Sequence, residues 1–265
     1  MGVSPGNNES VFNNISEIYH ISRPAYPDSL VEDLIGSCAL TQESRILEIG
    51  VGTGKLTEAF AKRGMKITGI ELGDKMAVTA QEALSSFKNV EIIVGDFNSY
   101  DFASASFDAV IAATSFHWLD PDKRIQKIHK ILDKNGVVAI VDTRHVDAGV
   151  DNFLSASQRC YREYESNTPD DYRLPTPEEA DKEGFRLKGE FLGKFTTSFQ
   201  KSYFSNIIYS SRDYLNLLQT YSDVIAMEES RRNGLLNCIG GMIENEFGGK
   251  ITKSYLWQLF VAGKS

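Results

Sequence analysis

Between Ser44 and Thr143 the chain alternates short apolar runs with amphipathic stretches. The runs are Arg45–Ile49, Lys66–Glu71, Val90–Val94, Phe107–Ala113 and Val137–Asp142. They are rich in β-branched residues and nearly apolar throughout, the pattern of strands buried on both faces of a parallel sheet. The stretches between them carry helical spacing. Asp74 is placed to cap a helix that buries Met76, Ala80, Ala83 and Leu84. Asp120-Pro121 offers an N-cap followed by proline at the first helical position, with Ile125, Ile128 and Leu132 on one face and Asn135-Gly136 as the stop. Strands and helices alternating at this spacing predict a doubly wound α/β layer.

After Thr143 the rhythm changes. Asp147–Asn167 reads as helix, Thr168–Pro177 as an exposed proline-rich connection and Phe191–Ser210 as strand. Arg212–Thr220 and Met227–Phe247 read as helices, and Ile251–Ala262 as a final strand. Residues 145–190 and 205–247 are therefore expected to form a helical lid, with two late strands joining the same sheet. Residues 1–10 are small and polar and read as a disordered lead-in. The expected organisation is one domain over residues 11–265, with its core at 40–143 and the lid and late strands at 145–265.

Composition narrows the function classes. The 28 basic against 36 acidic residues leave a net charge of −8, and both halves are acidic, which argues against a surface that tracks phosphates. The longest stretches free of charged residues, Ala109–Leu119 and Asn233–Ile243, are far shorter than the roughly 20 apolar residues a membrane helix needs. Cys38, Cys160 and Cys238 are odd in number and widely spaced, so no disulfide framework or paired-cysteine metal site is expected. With the first basic residue at Arg23, no charged signal-peptide start is read, and the expected location is cytoplasmic. His20, His129 and His145 have no metal-ligand spacing.

The strongest motif is Glu48-Ile49-Gly50-Val51-Gly52-Thr53-Gly54, which follows a strand and opens a helix at Lys55. Glycines there let the backbone turn tightly and approach a ligand with no Cβ in the way. A dinucleotide loop would want glycine where Lys55 stands, and a P-loop would want Ser or Thr where Leu56 stands. An acid before the first glycine suits a ligand with a positive end.

With these residues the sequence resembles the class I S-adenosylmethionine (SAM)-dependent methyltransferases of the small-molecule, methyltransferase-11-like type. Upstream, Tyr19-His20-Ile21-Ser22-Arg23-Pro24-Ala25-Tyr26-Pro27 is similar to the YxxxRPxYP segment of trans-aconitate-methyltransferase-like members. The resemblance implies a Rossmann-like, seven-stranded, mostly parallel sheet with helices on both faces. It also implies a SAM site in which Tyr19 and Arg23 meet the methionine end, with Glu48, Gly50, Gly52 and Gly54 in the loop. Glu71 and Leu72 then lie at the ribose, Asp96 and Phe97 at the adenine, and Ser115 after the fourth strand. Tyr26, His117 and Trp118 are expected in the substrate pocket, with His117 as a candidate base. S-adenosylhomocysteine (SAH) is the implied product.

Methyl transfer from a sulfonium asks the protein mainly for proximity and alignment. A carboxylate or thiolate acceptor needs no strong base, whereas an alcohol or phenol would need one. Arg159, Arg162, Arg173 and Arg212 in the expected lid, with the trans-aconitate resemblance, keep a carboxylic-acid acceptor in view. The tyrosines of the second half, Tyr161, Tyr164, Tyr172, Tyr203, Tyr209, Tyr214 and Tyr221, are either pocket walls or lid core. The expected partners are a small molecule and, at most, a second copy of the chain, with no nucleic acid and no membrane. Two rivals stay open: a non-catalytic SAM-binding regulator, and an NAD-dependent oxidoreductase in which Glu71 holds the adenosine ribose.

Overall fold

A computed structural model describes residues 16–165, 169, 172–185 and 188–265. The expected lead-in at residues 1–10 and part of the proline-rich connection lie outside them. Two helices, α1 (Ser16–Ser22) and α2 (Asp28–Ser37), precede the first strand. Then follow β1 (Arg45–Ile49), α3 (Lys55–Ala61), β2 (Lys66–Glu71), α4 (Asp74–Ala83), β3 (Val90–Val94) and β4 (Phe107–Ala113). α5 (Arg124–Ile131) leads into β5 (Leu132–Val146), and α6 (Phe153–Tyr164) and α7 (Pro177–Glu183) into β6 (Phe195–Ser210). α8 (Ser211–Leu218), α9 (Ser222–Ala226) and α10 (Glu229–Glu246) come before β7 (Lys250–Lys264).

The seven strands form one sheet in the order β3-β2-β1-β4-β5-β7-β6. β1 to β5 pair in parallel, and β7 runs antiparallel between β5 and β6. This is the expected mostly parallel, Rossmann-like sheet. Strand order reverses between β1 and β4, which opens a crevice at their carboxyl ends. Side-chain alternation divides the core into two layers. Ile46, Ala109, Ile111, Tyr255 and Trp257 pack on one face with the lid helices, while Leu47, Val110, Ala112 and Phe260 pack on the other.

Several local expectations change. Asn135-Gly136 lies inside β5, in the irregular stretch where its pairing with β4 steps from Phe107–Leu132 to Ala109–Val137, and β7 from Gly263 to Ser254 then pairs the strand from Val137 to Val146. The helix before it begins at Arg124, with Asp120 bonding Asp122 N in a preceding turn. Asp74 is the first residue of α4 instead of its cap, and Ala77 is buried in place of the exposed Ala83. β3 is an edge strand and only half buried. Phe191 belongs to a short 3-10 turn, so β6 starts at Phe195; it carries residues 205–210, which were expected in the lid.

The largest departure concerns the cysteines. Cys160 of α6 and Cys238 of α10 form a disulfide across 78 residues, so the expectation of no disulfide does not hold, and with it goes the premise for a reducing compartment. Cys38 is the free thiol; burial pushes its pKa up to about 12. No helix among the described residues is long and apolar enough to cross a membrane.

Candidate functional site

The crevice at the strand ends holds two adjoining cavities of about 350 and 690 Å³. The smaller is walled by Glu71, Leu72, Met76, Asp96 and Phe97. The larger runs under the lid, past Glu48, Asp142, His145, Tyr161 and Lys253. Tyr19, Gly50, Gly52, Thr114 and Trp118 border both, so the two volumes meet there.

The glycine loop sets this geometry. Gly50 has φ +70°, and a Cβ on it would stand 2.5 Å from that of Ser115. The Ser115 hydroxyl donates to Ile49 O, which draws the turns after β1 and β4 together. Gly54, also left-handed at φ +87°, caps α3 where a Cβ would press on Leu84. Thr114 has φ +55° without being a glycine, a strained backbone at the boundary of the two cavities.

Two carboxylates rim the loop and differ in environment. Glu71, at the end of β2, accepts from Gly52 N (2.8 Å) and Gly73 N (3.0 Å). Burial raises its pKa, while those backbone donors pull it down. With backbone donors at Gly73, Gly52 and Leu72, the carboxylate still has lone-pair capacity for a further donor. Glu48 is buried and accepts from the Thr57 hydroxyl at 2.6 Å, which locks β1 to α3. Burial, opposed by Thr57 and helped by Glu71, pushes it up to about 8, so it is protonated at neutral pH. Asp96 accepts from Asn98 N (2.8 Å) and Nδ2 (3.0 Å), which fixes the turn after β3.

The other expected residues gather at the same mouth. Arg23 lies between the rings of Tyr19 (4.8 Å) and Tyr221 (4.6 Å) and donates to Thr220 Oγ1 (2.9 Å) and O (2.8 Å). It therefore ties α1 to the turn between α8 and α9 as well as lining the larger cavity. Tyr26 packs on Trp257 (5.3 Å), and burial raises its hydroxyl pKa above the usual range. His117 rests against Trp118 (4.7 Å) on the cavity rim, and burial lowers its pKa against the pull of Asp142. Buried Arg124 holds the turn that carries both. It donates to Phe116 O and forms a two-bond pair with Glu190.

Sequence reasoning missed a whole wall of the larger cavity: Asp142 and His145 from β5, and Lys253, Tyr255 and Trp257 from β7. The available signal was the alternation Lys253, Tyr255, Trp257 in a strand otherwise buried on both faces. Of the second-half tyrosines, Tyr161, Tyr172, Tyr214 and Tyr221 line the cavity, whereas Tyr164, Tyr203 and Tyr209 do not. The lid arginines line neither cavity. Arg159 pairs with Glu246 and Arg173 with Glu179 on the surface. No cluster of potential metal ligands occurs among the described residues.

A family model described as a methyltransferase domain matches residues 47–140. An uncharacterized methyltransferase of Mycobacterium bovis is 28% identical over 123 residues, 46% of this chain and 48% of its own length. The chain thus matches about half the length of that curated relative. Among solved structures, the cyclase SpnF superimposes with a TM-score of 0.59 at 14% identity, covering 99% of this chain and 97% of that one. Phosphoethanolamine N-methyltransferase 2 of Haemonchus contortus, crystallised with phosphomonomethylethanolamine and S-adenosylhomocysteine, superimposes at 0.51 and 19% identity, covering 99% of this chain and 60% of that one. At those identities the likeness is one of fold. The glycine loop, Glu71, Asp96 and the turn after β4 all lie within the segment that matches the methyltransferase-domain model.

Proposed function

We propose that this chain transfers the methyl group of SAM to a small-molecule acceptor, with a carboxylic acid as the acceptor class. The observation that carries the reading is the pair of cavities meeting at Gly50, Thr114 and Trp118, one rimmed by carboxylates and apolar side chains, the other aromatic and roomy. The smaller fits an adenosyl group. Glu71 accepts from the ribose hydroxyls, Asp96 and Phe97 meet the adenine, and the missing Cβ of Gly50 leaves the close approach open. Tyr19 and Arg23 face the methionine end. SAM supplies an electrophilic methyl on a sulfonium; the protein aligns the acceptor's nucleophile with it and keeps water out. The family domain and the relative named methyltransferase support this over the NAD reading.

Thermal unfolding with SAM, SAH and NAD tests it. A ligand at about 100 times its Kd adds about 2.7 kcal/mol, a rise on the order of 5–10 °C for a chain of this size. SAM and SAH are expected to produce that rise and NAD none. A shift with NAD alone would refute the assignment, and binding without methyl transfer to any acceptor would favour the regulator.

For a hydroxyl acceptor, His117 is the base on the cavity rim, its neutral form favoured by burial. Asparagine at 117 is then expected to lower turnover by about a hundredfold with SAM affinity kept. A carboxylate acceptor needs no base. In that case the wild-type rate stays flat from about pH 5.5 to 8.5, and His117 only orients the acceptor.

A further inference from the structure

Four charged side chains are buried among the described residues. Arg124 is paired with Glu190, Arg144 with Glu183, and Glu48 is bonded to Thr57. Lys253 is 4% exposed, and its side chain, which borders the larger cavity, forms no ion pair among the described residues. It lies over the rings of Tyr221 (5.9 Å) and Tyr255 (5.6 Å) and borders the larger cavity. Four residues along β7, about 13 Å of strand, separate it from Trp257 beside Tyr26. Lys253 thus borders the larger cavity and not the smaller one.

Its surroundings do not neutralise it. The groups facing it are Arg23 just after α1, Tyr221 at the start of α9 and Asp223 within it, Tyr255 of its own strand and His145 of β5. Arg23 repels it, and Nε and Nη2 of that arginine are bonded to Thr220. Asp223 attracts it from an exposed position without forming an ion pair. Burial, with Lys253 and Arg23, lowers His145 well below its usual range, so that ring is neutral. A buried, unpaired ammonium is costly, and that cost is recovered only when a partner brings the opposite charge.

We propose that Lys253 is the specificity-determining residue of the acceptor cavity, binding a carboxylate of the acceptor that is not itself methylated and so holding the acceptor's other end, which bears the nucleophile, toward Thr114 and Trp118. The acceptor is then a molecule with two functional groups, one an anchor and the other the methylation site. This rests on the methyltransferase reading above. Burial, then Arg23, brings Lys253 down to about 8, so acid binding weakens as pH rises from about 7 to 9. The tyrosines facing it stay protonated in that range, since burial raises both. Glu48 also titrates near 8, but it lies at the glycine loop, and saturation with SAH keeps that end occupied.

The test is calorimetry on the SAH-saturated protein with succinate, glutarate, adipate and 4-hydroxyphenylacetate, each beside its carboxamide. At least one acid is expected to bind about tenfold or more tightly than its amide. Lys253→Met is expected to weaken that acid by about thirtyfold or more, to leave SAH affinity within about threefold, and to raise the melting temperature of the ligand-free protein. Lys253→Gln serves in its place if the methionine variant does not fold. The proposal is overturned if amides bind as well as acids, if no acid in the set binds, or if either variant keeps acid affinity within about threefold of wild type. Failure of SAH to bind the wild-type protein would instead overturn the methyltransferase reading, and this proposal with it.

Discussion

Alanine at position 71 is expected to weaken SAH binding by about tenfold to several hundredfold, and more than alanine at position 48 does. In the proposed adenosyl site Glu71 makes two charge-assisted bonds to the ribose, each worth roughly 1.5–3 kcal/mol before compensation. Its oxygens are already held in place by Gly52 N and Gly73 N, so they meet the ribose without further ordering. Removing the carboxylate also leaves the Gly52 amide without its acceptor, which adds to the loss. Glu48 differs because it is protonated at neutral pH and already bonded to Thr57, so its truncation acts first on the packing of β1 against α3. Calorimetric affinities of the two variants decide the matter. A Glu71→Ala affinity within about threefold of wild type would exclude the ribose contact.

A larger effect on the fold is expected from a single methyl group at Gly50. Alanine there carries a left-handed strain of roughly 1–2 kcal/mol. Its Cβ would also lie 2.5 Å from Ser115 Cβ, inside any real carbon–carbon contact. Relief requires the turns after β1 and β4 to part, and overpacking of this kind costs roughly 1–3 kcal/mol. The sum, about 2–5 kcal/mol, lowers the melting temperature by on the order of 5–15 °C. Because both cavities border Gly50, SAH affinity falls with it. Ser115→Gly in the Gly50→Ala background removes the opposing Cβ and is expected to restore a few degrees. The single variant Ser115→Gly measures the loss of its bond to Ile49 O. A double variant no better than the two single losses combined would mean that backbone strain, and not the Cβ contact, accounts for the effect of Gly50→Ala.

The first five strands were legible because each is a short apolar run whose burial depends only on its own composition. The glycine loop, Glu71 and Asp96 were legible for a related reason, since a parallel sheet carries the residue after each strand to one common edge. The boundaries that failed were those set by a partner distant in sequence. The strand expected to end at Asp142 runs on to Val146 because β7 pairs with it there, and it begins at Leu132, before Asn135-Gly136, because Leu132 pairs with Phe107 of β4. The lid arginines looked like anion ligands, but none lines either cavity, and acids on the surface pair with Arg159 and Arg173.

From the sequence alone came the class of the sheet, the glycine loop after its first strand and the acids around it, all features of local pattern and fixed spacing. Only the tertiary structure decided which side chains form the far wall of the larger cavity, that Cys160 meets Cys238 across 78 residues, and that Lys253 is buried without a partner. The reason is physical. A lysine two residues before a tyrosine in a strand reads the same whether its ammonium meets water, an acid or an empty pocket. That is settled by the antiparallel register of β7 against β5 and by the helices of the lid packed over both.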